Sequence, residues 1–501
     1  MHIAFLNPQG NFDPNDSYWT AHPDFGGQLV YVKQLALAMA ELGHTVDILT
    51  RQIIDREWPE FADRFDAYPG AEGVRIVRLP AGPETFLRKE LLWPHLVRDW
   101  VPNIIQFYAE EGRNPDALTA HYGDGGLAAA LLSARTGIPY TFTAHSLGAQ
   151  KMDKMGVTRD DLAEVDAHYF FSRRILAERL GMNRSLVNVT STAQERYDQY
   201  AHPAYRGAVE PTDDAHFAVV PPGVALNIFD RDSRYAEEDA VHAHIHAMLA
   251  RDLDEERRAL PCIVASSRLD AKKNHLGLVQ AFAANPELRA QANLVIVTGY
   301  LDNPLSDYSA AGASEREVLD SLMAVINAHD LRGEVSLFAL RGQGELAAGY
   351  RCLAQLRSSF CLTALYEPFG LAPLEAIAAG LPAVVTKFGG PSESLREGEQ
   401  EFGILVDPTD PAETSAGLLA LASDPATWTR YAEAGYQRVL TRYSWDRTAE
   451  GYLRAIEARL PKLESGKLPT LNRHILPIPP FFEEPTEANA ITPDTLAELY
   501  F

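Results

Sequence analysis

The sequence predicts an α/β protein made of two doubly wound domains. Short apolar runs alternate with longer amphipathic segments along most of the chain, which is typical of parallel sheets with crossover helices. The breaker cluster Pro221-Pro222-Gly223 separates two such series of segments. A length of 501 residues exceeds the usual range of one domain and is enough for two substantial cores.

The first series predicts an N-terminal domain over residues 1–222. An amphipathic helix at Gln28–Leu42 follows the first strand. The predicted strands are Ile3–Leu6, Thr45–Thr50, Ala117–Ala120, Tyr140–Ala144 and Leu186–Thr190.

The second series predicts another domain of the same kind over residues 223–444. We interpret the charged stretch Tyr235–Arg258 as a solvated helical insertion. The predicted strands are Cys262–Ser266, Leu294–Thr298, Val335–Leu340, Phe360–Thr363 and Ala383–Thr386, and the predicted helices are Gln343–Leu356 and Pro411–Thr441, followed beyond this domain by Trp445–Leu460.

The remaining segment, 445–501, predicts a helix followed by a tail. From Pro461 onward, proline and glutamate are frequent and periodicity is weak, a composition typical of disorder. The stretch Ile475–Phe482 nevertheless carries enough apolar surface to dock on a folded domain.

Composition excludes several classes of function. A formal net charge of −23 argues against sequence-independent binding to nucleic acid or to an anionic membrane, and no run approaches the roughly 20 apolar residues of a membrane span. The three cysteines lack metal-ligand spacing, and the N-terminus enters a strand without a signal-peptide pattern. We therefore expect buried thiols and a cytoplasmic protein.

Two carboxylates, Glu367 and Glu375, bracket the start of a short helix predicted at Leu371–Ala379. Gly380 suits the left-handed position after that helix. The free backbone N–H groups near Gly370 and Leu371 form an anion site, so anion donors and carboxylates are expected in one pocket. The alternative is that both glutamates are ordinary acids, one of them complementing the helix dipole.

Other polar residues follow predicted strands, where ligands of open α/β sheets bind. Arg268 and Lys273 follow Cys262–Ser266, and His145 ends Tyr140–Ala144. An Arg and a Lys together suit a diphosphate, although both could be exposed loop cations and His145 could be structural.

A basic cluster in the N-terminal half suits a phosphorylated ligand. Arg173, Arg174 and Arg179 cannot all share one helical face, so at least one is predicted to be a surface charge. The cluster comprises Lys89, Lys151, Arg173, Arg174 and Arg179. No His, Cys or carboxylate grouping has metal spacing, so we expect no metal.

Several motifs together resemble one family, the sucrose-phosphate synthases, which are retaining glycosyltransferases of the GT-B fold. The resemblance covers roughly residues 1–460 in order. The motifs are Asp24–Lys33, His121–Gly126, Thr143–Gly148, Arg173-Arg174, Ser266–His275 and Glu367–Glu375.

The resemblance implies two Rossmann-like domains facing a cleft, with the C-terminal segment crossing back to the N-terminal domain. It implies no metal and no cofactor, since the nucleoside diphosphate sugar is a co-substrate. Glu367, His145, Arg268 and Lys273 would carry catalysis. The implied donor-binding residues are Gly27, Arg268, Lys273, Gly370, Leu371 and Glu375, and the implied acceptor-binding residues are Gly26, Gln28, Lys89, Tyr122, Ser146, Lys151 and Arg174.

The implied reaction moves glucose from UDP-glucose to fructose 6-phosphate with retention, giving sucrose 6-phosphate. Association with a sucrose-phosphate phosphatase is a further expectation. Alternatives on the same scaffold are a sucrose synthase and a mannosylfructose-phosphate synthase, and a catalytically silent sugar-phosphate-binding protein is an alternative of another class. The base of the donor and its sugar stay open at this point.

Overall fold

Two parallel β-sheets organise the computed structural model of the chain, which describes residues 1–9, 11–17, 27–460 and 474–501. The strands of the first sheet are β1 His2–Leu6, β2 Thr45–Arg51, β3 Phe65–Asp66, β4 Val74–Leu79, β5 Ala117–His121, β6 Tyr140–Thr143, β7 Val187–Thr190 and β8 Phe217–Val219. Those of the second are β9 Cys262–Ser266, β10 Asn293–Thr298, β11 Val335–Ala339, β12 Ser359–Leu362, β13 Ala383–Thr386 and β16 Ile404–Val406. Two further strands, β14 Arg396–Glu397 and β15 Gln400–Glu401, form a separate hairpin.

Helices connect most of these strands. They are α1 Gly27–Glu41, α2 Trp93–His95, α3 Val101–Glu111, α4 Tyr122–Thr136, α5 Gly148–Met155, α6 Leu162–Tyr169, α7 Phe171–Arg184, α8 Leu226–Phe229, α9 Glu238–Asp252, α10 His275–Ala283, α11 Pro286–Gln291, α12 Ala313–Ala328, α13 Gly342–Gln355, α14 Leu371–Ala378, α15 Pro391–Ser394, α16 Pro411–Ser423, α17 Pro425–Arg442, α18 Trp445–Glu457, α19 Pro480–Glu483 and α20 Pro493–Tyr500.

Both sheets are doubly wound, as the sequence predicted. The first has the strand order β3-β4-β2-β1-β5-β6-β7-β8 and the second β11-β10-β9-β12-β13-β16. Every pairing in them is parallel except β3 with β4. The winding reverses between β1 and β5 and between β9 and β12. Ligands of such sheets bind outside the carboxyl ends of the strands at these points.

The chain forms two units, each with its own core. Met1–Pro221 and Thr448–Phe501 form one unit, and Pro222–Arg447 forms the other. In the first unit, Phe481 and Phe482 of α19 are 4% and 0% exposed within its apolar core. The prediction that the C-terminal segment returns to the N-terminal domain is thus confirmed.

Two predictions about helices are wrong. The helix expected over Pro411–Thr441 is two helices, because Asp424 accepts hydrogen bonds from Ala426 N and Thr427 N and begins a new helix. The stretch Tyr235–Arg258 is helical over Glu238–Asp252, as predicted, but it is not solvated on all sides. One face of α9 is buried through Val241, Ile245 and Leu249.

None of the helices in the described ranges combines the length and apolarity that crossing a membrane requires.

Candidate active site

In the second unit, Lys273 and Glu367 form an ion pair at the carboxyl end of the sheet. Lys273 Nζ donates a hydrogen bond to Glu367 Oε2 at 2.6 Å, and both side chains are largely buried. Lys273 ends the 3-10 turn Ala271–Lys273 that follows β9. Asn274, with a φ of 54°, then caps α10. Local turn geometry therefore positions the lysine.

Two glycines that the sequence analysis missed hold the Glu367 loop in place. Gly389, with a φ of +100°, follows β13, and a Cβ there would lie 2.0 Å from Glu367 O. Gly390 N donates to Glu367 O at 2.9 Å, and Glu367 N donates to Phe388 O at 3.1 Å. The signal that could have revealed this contact is the Gly-Gly-Pro sequence, which is separated by two residues from the end of a strand.

Glu375 and Arg268 line a different space, a cavity of about 450 Å³ at the ends of β9 and β10. Arg268 is exposed. Glu375 is partly buried on α14, and its carboxylate makes no hydrogen bond to any residue of the described ranges. Burial raises the pKa of this carboxyl to about 7.

The two glutamates therefore have different neighbours. Arg268 accompanies Glu375, while Lys273 pairs with Glu367. The predicted anion donors do lie at the start of α14: Gly370 is its N-cap, with a φ of 92°, and Leu371 is its first residue.

In the first unit, four residues predicted for the acceptor surround a single small cavity. The four are Lys89, Tyr122, Lys151 and Arg174. Arg174 is 6% exposed, its guanidinium lies 4.6 Å from the centre of the Tyr122 ring, and its Nε donates to Glu178 Oε1 at 2.8 Å. Lys151 Nζ lies 4.9 Å from the centre of the Tyr169 ring. Three cations therefore line the cavity, together with the carboxylates of Glu90 and Asp124.

The glycines after β5 explain how this cavity forms. Tyr122 has a left-handed φ of 69° and begins α4. A Cβ on Gly125 would lie 2.5 Å from Leu6 O, and one on Gly126 would lie 2.5 Å from Phe142. These glycines let the first turn of α4 approach the sheet closely, and this turn carries Tyr122 into the cavity.

The other predicted acceptor residues are not among those that line this cavity. Arg174 Nη2 donates to Ser146 O at 2.8 Å and to Ser146 Oγ at 3.2 Å, so Ser146 joins the cluster. Gln28 lies at the start of α1 and hydrogen-bonds to Asn7 at the end of β1. Gly27 is exposed, and no atom of the described residues lies within 4 Å of a Cβ added to it. Gly26 lies outside the described residues.

His145 follows β6 in a left-handed conformation, with a φ of 56°. His145 Nε2 and His121 Nδ1 are 2.9 Å apart and share a hydrogen bond, and the ring of Tyr31 packs edge-on at 4.8 Å between centroids. Burial lowers the pKa of His145 to about 3, so this imidazole is neutral. Neither His121 nor Tyr31 was predicted as a site residue, although His121 ends β5 beside β6.

The prediction that Arg173, Arg174 or Arg179 is a plain surface charge is wrong. Arg179 is 8% exposed and donates to Ala204 O at 2.5 Å. Arg173 is partly buried, with its guanidinium 4.3 Å from the centre of the Phe170 ring and 4.7 Å from that of Phe481. Arg173 and Arg179 therefore make contacts within the fold, and of the three arginines only Arg174 lines the cavity.

No group of three or more His, Cys, Asp or Glu side chains in the described part of the chain is placed to hold a metal ion.

Two family models match the chain, one in each half. The model described as glycosyl transferase 4-like domain matches residues 26–210, and the one described as glycosyl transferases group 1 matches residues 254–438. A solved structure, the sucrose-phosphate synthase of Thermosynechococcus elongatus, aligns with 91% of this chain and 98% of its own at a TM-score of 0.62 and 23% identity. This likeness shows the GT-B fold.

Curated relatives extend the match in sequence. A probable sucrose-phosphate synthase of Thermosipho melanesiensis is 42% identical over 457 residues, which are 91% of this chain and 96% of that protein. The sucrose-phosphate synthase of Spinacia oleracea is 31% identical over 88% of this chain, and the match spans 46% of the spinach protein, so the chain covers about half the length of such plant relatives. The chain belongs to the sucrose-phosphate synthase family of glycosyltransferases.

Proposed function

We propose that the chain transfers glucose from UDP-glucose to fructose 6-phosphate and so makes sucrose 6-phosphate, with retention at the anomeric carbon. The name of the Thermosipho melanesiensis relative supports the product. Sucrose phosphate joins a glucosyl unit to a phosphorylated fructose, so its synthesis by transfer needs a sugar-phosphate acceptor. The observation that carries the proposal is the cavity lined by Lys89, Lys151 and Arg174.

In this proposal, that cavity binds the acceptor's phosphate. Arg174 is held rigid by Glu178 and Ser146, so its fork is oriented before the ligand arrives. The two lysines add point charges. Gly26, Gln28, Tyr122 and Ser146 would surround the sugar.

The donor would bind to the second unit. Arg268 and Lys273 would neutralise the diphosphate, together with the N–H groups of Gly370 and Leu371 at the start of α14. Glu375 would accept hydrogen bonds from the ribose hydroxyls. Glu367 would contact the transferred sugar, so donor binding would loosen its pair with Lys273.

The chemical step we propose is front-face attack. The acceptor hydroxyl forms a bond to the anomeric carbon on the side from which the diphosphate leaves, and a diphosphate oxygen takes the hydroxyl proton. Arg268 and Lys273 stabilise the charge that develops on the leaving group. His145 is neutral and so serves the sugar as a hydrogen-bonding group. In this mechanism, basic residues fill the place of a divalent cation, and no cofactor takes part.

We also propose a cytoplasmic location. Cys262, Cys352 and Cys361 are buried free thiols, which suits a reducing compartment. A phosphatase that consumes the sucrose phosphate is a natural partner, and association with it stays a prediction.

The test measures nucleotide release from UDP-, ADP- and GDP-linked hexoses, each with fructose 6-phosphate or fructose, with and without EDTA. We expect UDP and a phosphorylated disaccharide, with EDTA having no effect. Turnover only with fructose would favour a sucrose synthase, and turnover only with a GDP-linked hexose would favour a mannosylfructose-phosphate synthase. Absence of turnover with every pair would favour a silent binding protein.

A further inference from the structure

Asp124 is a buried carboxylate in the same cavity as Lys89, Lys151 and Arg174. The residue is 3% exposed and lies in the first turn of α4. Its Oδ1 accepts a hydrogen bond from Gly125 N at 2.8 Å. Its Oδ2 is buried and has no hydrogen-bond partner among the described residues. A buried carboxylate oxygen left unpaired is costly, so a bound ligand is expected to satisfy it.

The positive charges around Asp124 oppose the effect of burial on the pKa of its carboxyl. Burial raises the pKa of Asp124, while hydrogen bonds from the backbone and the positive charges of Lys89 and Arg174 lower it, and the result is about 6. Glu178 on α7 is occupied by Arg174, Gly148 N and Tyr205. The titratable and charged groups that face the cavity with Asp124 are Lys89, Glu90, Tyr122, Lys151, Tyr169 and Arg174.

A bound phosphate would shift the protonation equilibrium of Asp124 towards the protonated carboxyl. A dianion placed among the three cations takes up the positive charge that otherwise stabilises the Asp124 carboxylate. It also brings negative charge close to that carboxylate. Both effects favour the protonated carboxyl. A protonated Oδ2 would then be a donor, which is the kind of group a phosphate oxygen accepts from.

We propose that Asp124 is a further phosphate-binding residue of this cavity, which takes up a proton from solvent when the acceptor binds and donates a hydrogen bond from Oδ2 to a phosphate oxygen. The proton returns to solvent when the phosphorylated product leaves. The inference rests on the proposed function, since it requires that a sugar phosphate occupies this cavity.

The experiment is calorimetric titration of fructose 6-phosphate into the full chain and into Asp124→Asn, in two buffers of different ionisation enthalpy. Asparagine keeps an Oδ1 acceptor for Gly125 N and offers an uncharged N–H donor in place of Oδ2. Thermal unfolding and donor affinity of the variant check its fold. The range is pH 7 to 8.5, where the phosphate itself is already a dianion because its second pKa is about 6.

We expect the wild-type chain to take up more protons than Asp124→Asn on binding, by at most about one per site. By linkage, the wild-type affinity should fall as pH rises, by at most about tenfold per pH unit, while that of the variant changes less. The other titratable groups are common to both proteins, so the difference belongs to Asp124.

Equal proton uptake and parallel pH profiles would overturn the inference. Weaker binding by the variant at every pH, without a change in proton uptake, would instead show that an ionised Asp124 accepts a hydrogen bond from a sugar hydroxyl. Titration with fructose separates this failure from that of the proposed function. A wild-type chain that binds fructose but not fructose 6-phosphate removes the phosphate site itself, and both proposals with it.

Discussion

At the scale of single residues, replacing Lys273 tests whether its charge takes part in catalysis or is only a surface charge. Replacing it by alanine removes the charge that we propose for the leaving diphosphate. We expect Lys273→Ala to lower kcat by roughly 10²–10³-fold, the range found when one group that stabilises developing charge is removed. Steady-state nucleotide release measures this effect.

Lys272 provides the matched control, since it is the neighbouring lysine of the same 3-10 turn and its side chain is exposed. Lys272→Ala should leave kcat within about twofold of the wild type. Similar losses in both variants would mean that the turn, and not the Lys273 charge, matters.

The raised pKa of Glu375 predicts that the stability of the fold depends on pH. Burial raises its pKa to about 7 in the folded chain, above an ordinary value of roughly 4.3 in the unfolded chain. The folded form therefore binds an extra proton between about pH 4.5 and 7, so this residue lowers stability as pH rises through that window. The loss is at most about 4 kcal/mol, and less where solvent screens the partly buried carboxylate.

Glu375→Gln removes this titration. We expect the variant to unfold at a higher temperature than the wild type at pH 8, and the difference to shrink at pH 5, as measured by scanning calorimetry without ligand. Donor affinity should fall in the same variant if the carboxylate binds ribose. A constant difference between pH 5 and pH 8 would show that Glu375 keeps an ordinary pKa.

At the scale of elements, the loop after β13 positions Glu367. Gly389→Ala would place a Cβ 2.0 Å from Glu367 O at a φ of +100°, so the Glu367 loop must move. We expect kcat to fall by at least about tenfold, because small misplacements of a reacting group are costly. The measurement is steady-state turnover.

Gly398→Ala is the control for strain alone. Gly398 also has a positive φ, +61°, but no atom in the described part of the chain lies within 4 Å of its added Cβ. This variant should lose some stability and keep its kcat. If both variants lose kcat equally, the contact between Gly389 and Glu367 is not responsible.

Comparing the predicted strands and helices with those of the structure shows how far local sequence determines them. Apolar runs placed β1, β9 and β12 within one or two residues, because buried parallel strands read as continuous apolar segments. The stretch Pro411–Thr441 was predicted as one helix and the break at Asp424 was missed, although an Asp-Pro pair is a local signal for a helix start.

The candidate site was less predictable than the fold. Lys89, Lys151 and Arg174 are far apart in sequence, and their assignment to one site came from the resemblance and not from spacing. Gly389 and His121 were missed because their roles depend on contacts between separate loops, Gly389 with Glu367 and His121 with His145. Such contacts leave no periodic signal.

At the scale of the whole molecule, the described part of the C-terminal tail, residues 474–501, belongs to the first unit. The tail residues 461–473, for which the composition predicted disorder, lie outside the described residues. Leu476 N donates to Asn183 Oδ1 at 2.9 Å, and Arg184 Nη2 donates to Leu476 O at 2.7 Å. Phe482 is 0% exposed in the apolar core that also includes Trp100 and Phe142. A composition typical of disorder therefore does not prevent a segment from docking where its apolar side chains find a core.

Phe482→Ala tests this view. Removing a fully buried phenylalanine costs about 3–5 kcal/mol through lost burial and the cavity left behind, so we expect the unfolding transition of the first unit to shift to lower temperature in calorimetry. Phe501→Ala is the control, since Phe501 is 45% exposed and its loss should change stability by about 0.5 kcal/mol or less. The second unit, Pro222–Arg447, has a core of its own, so its transition should stay in place. An unchanged first transition in Phe482→Ala would mean that the tail docks without stabilising the unit.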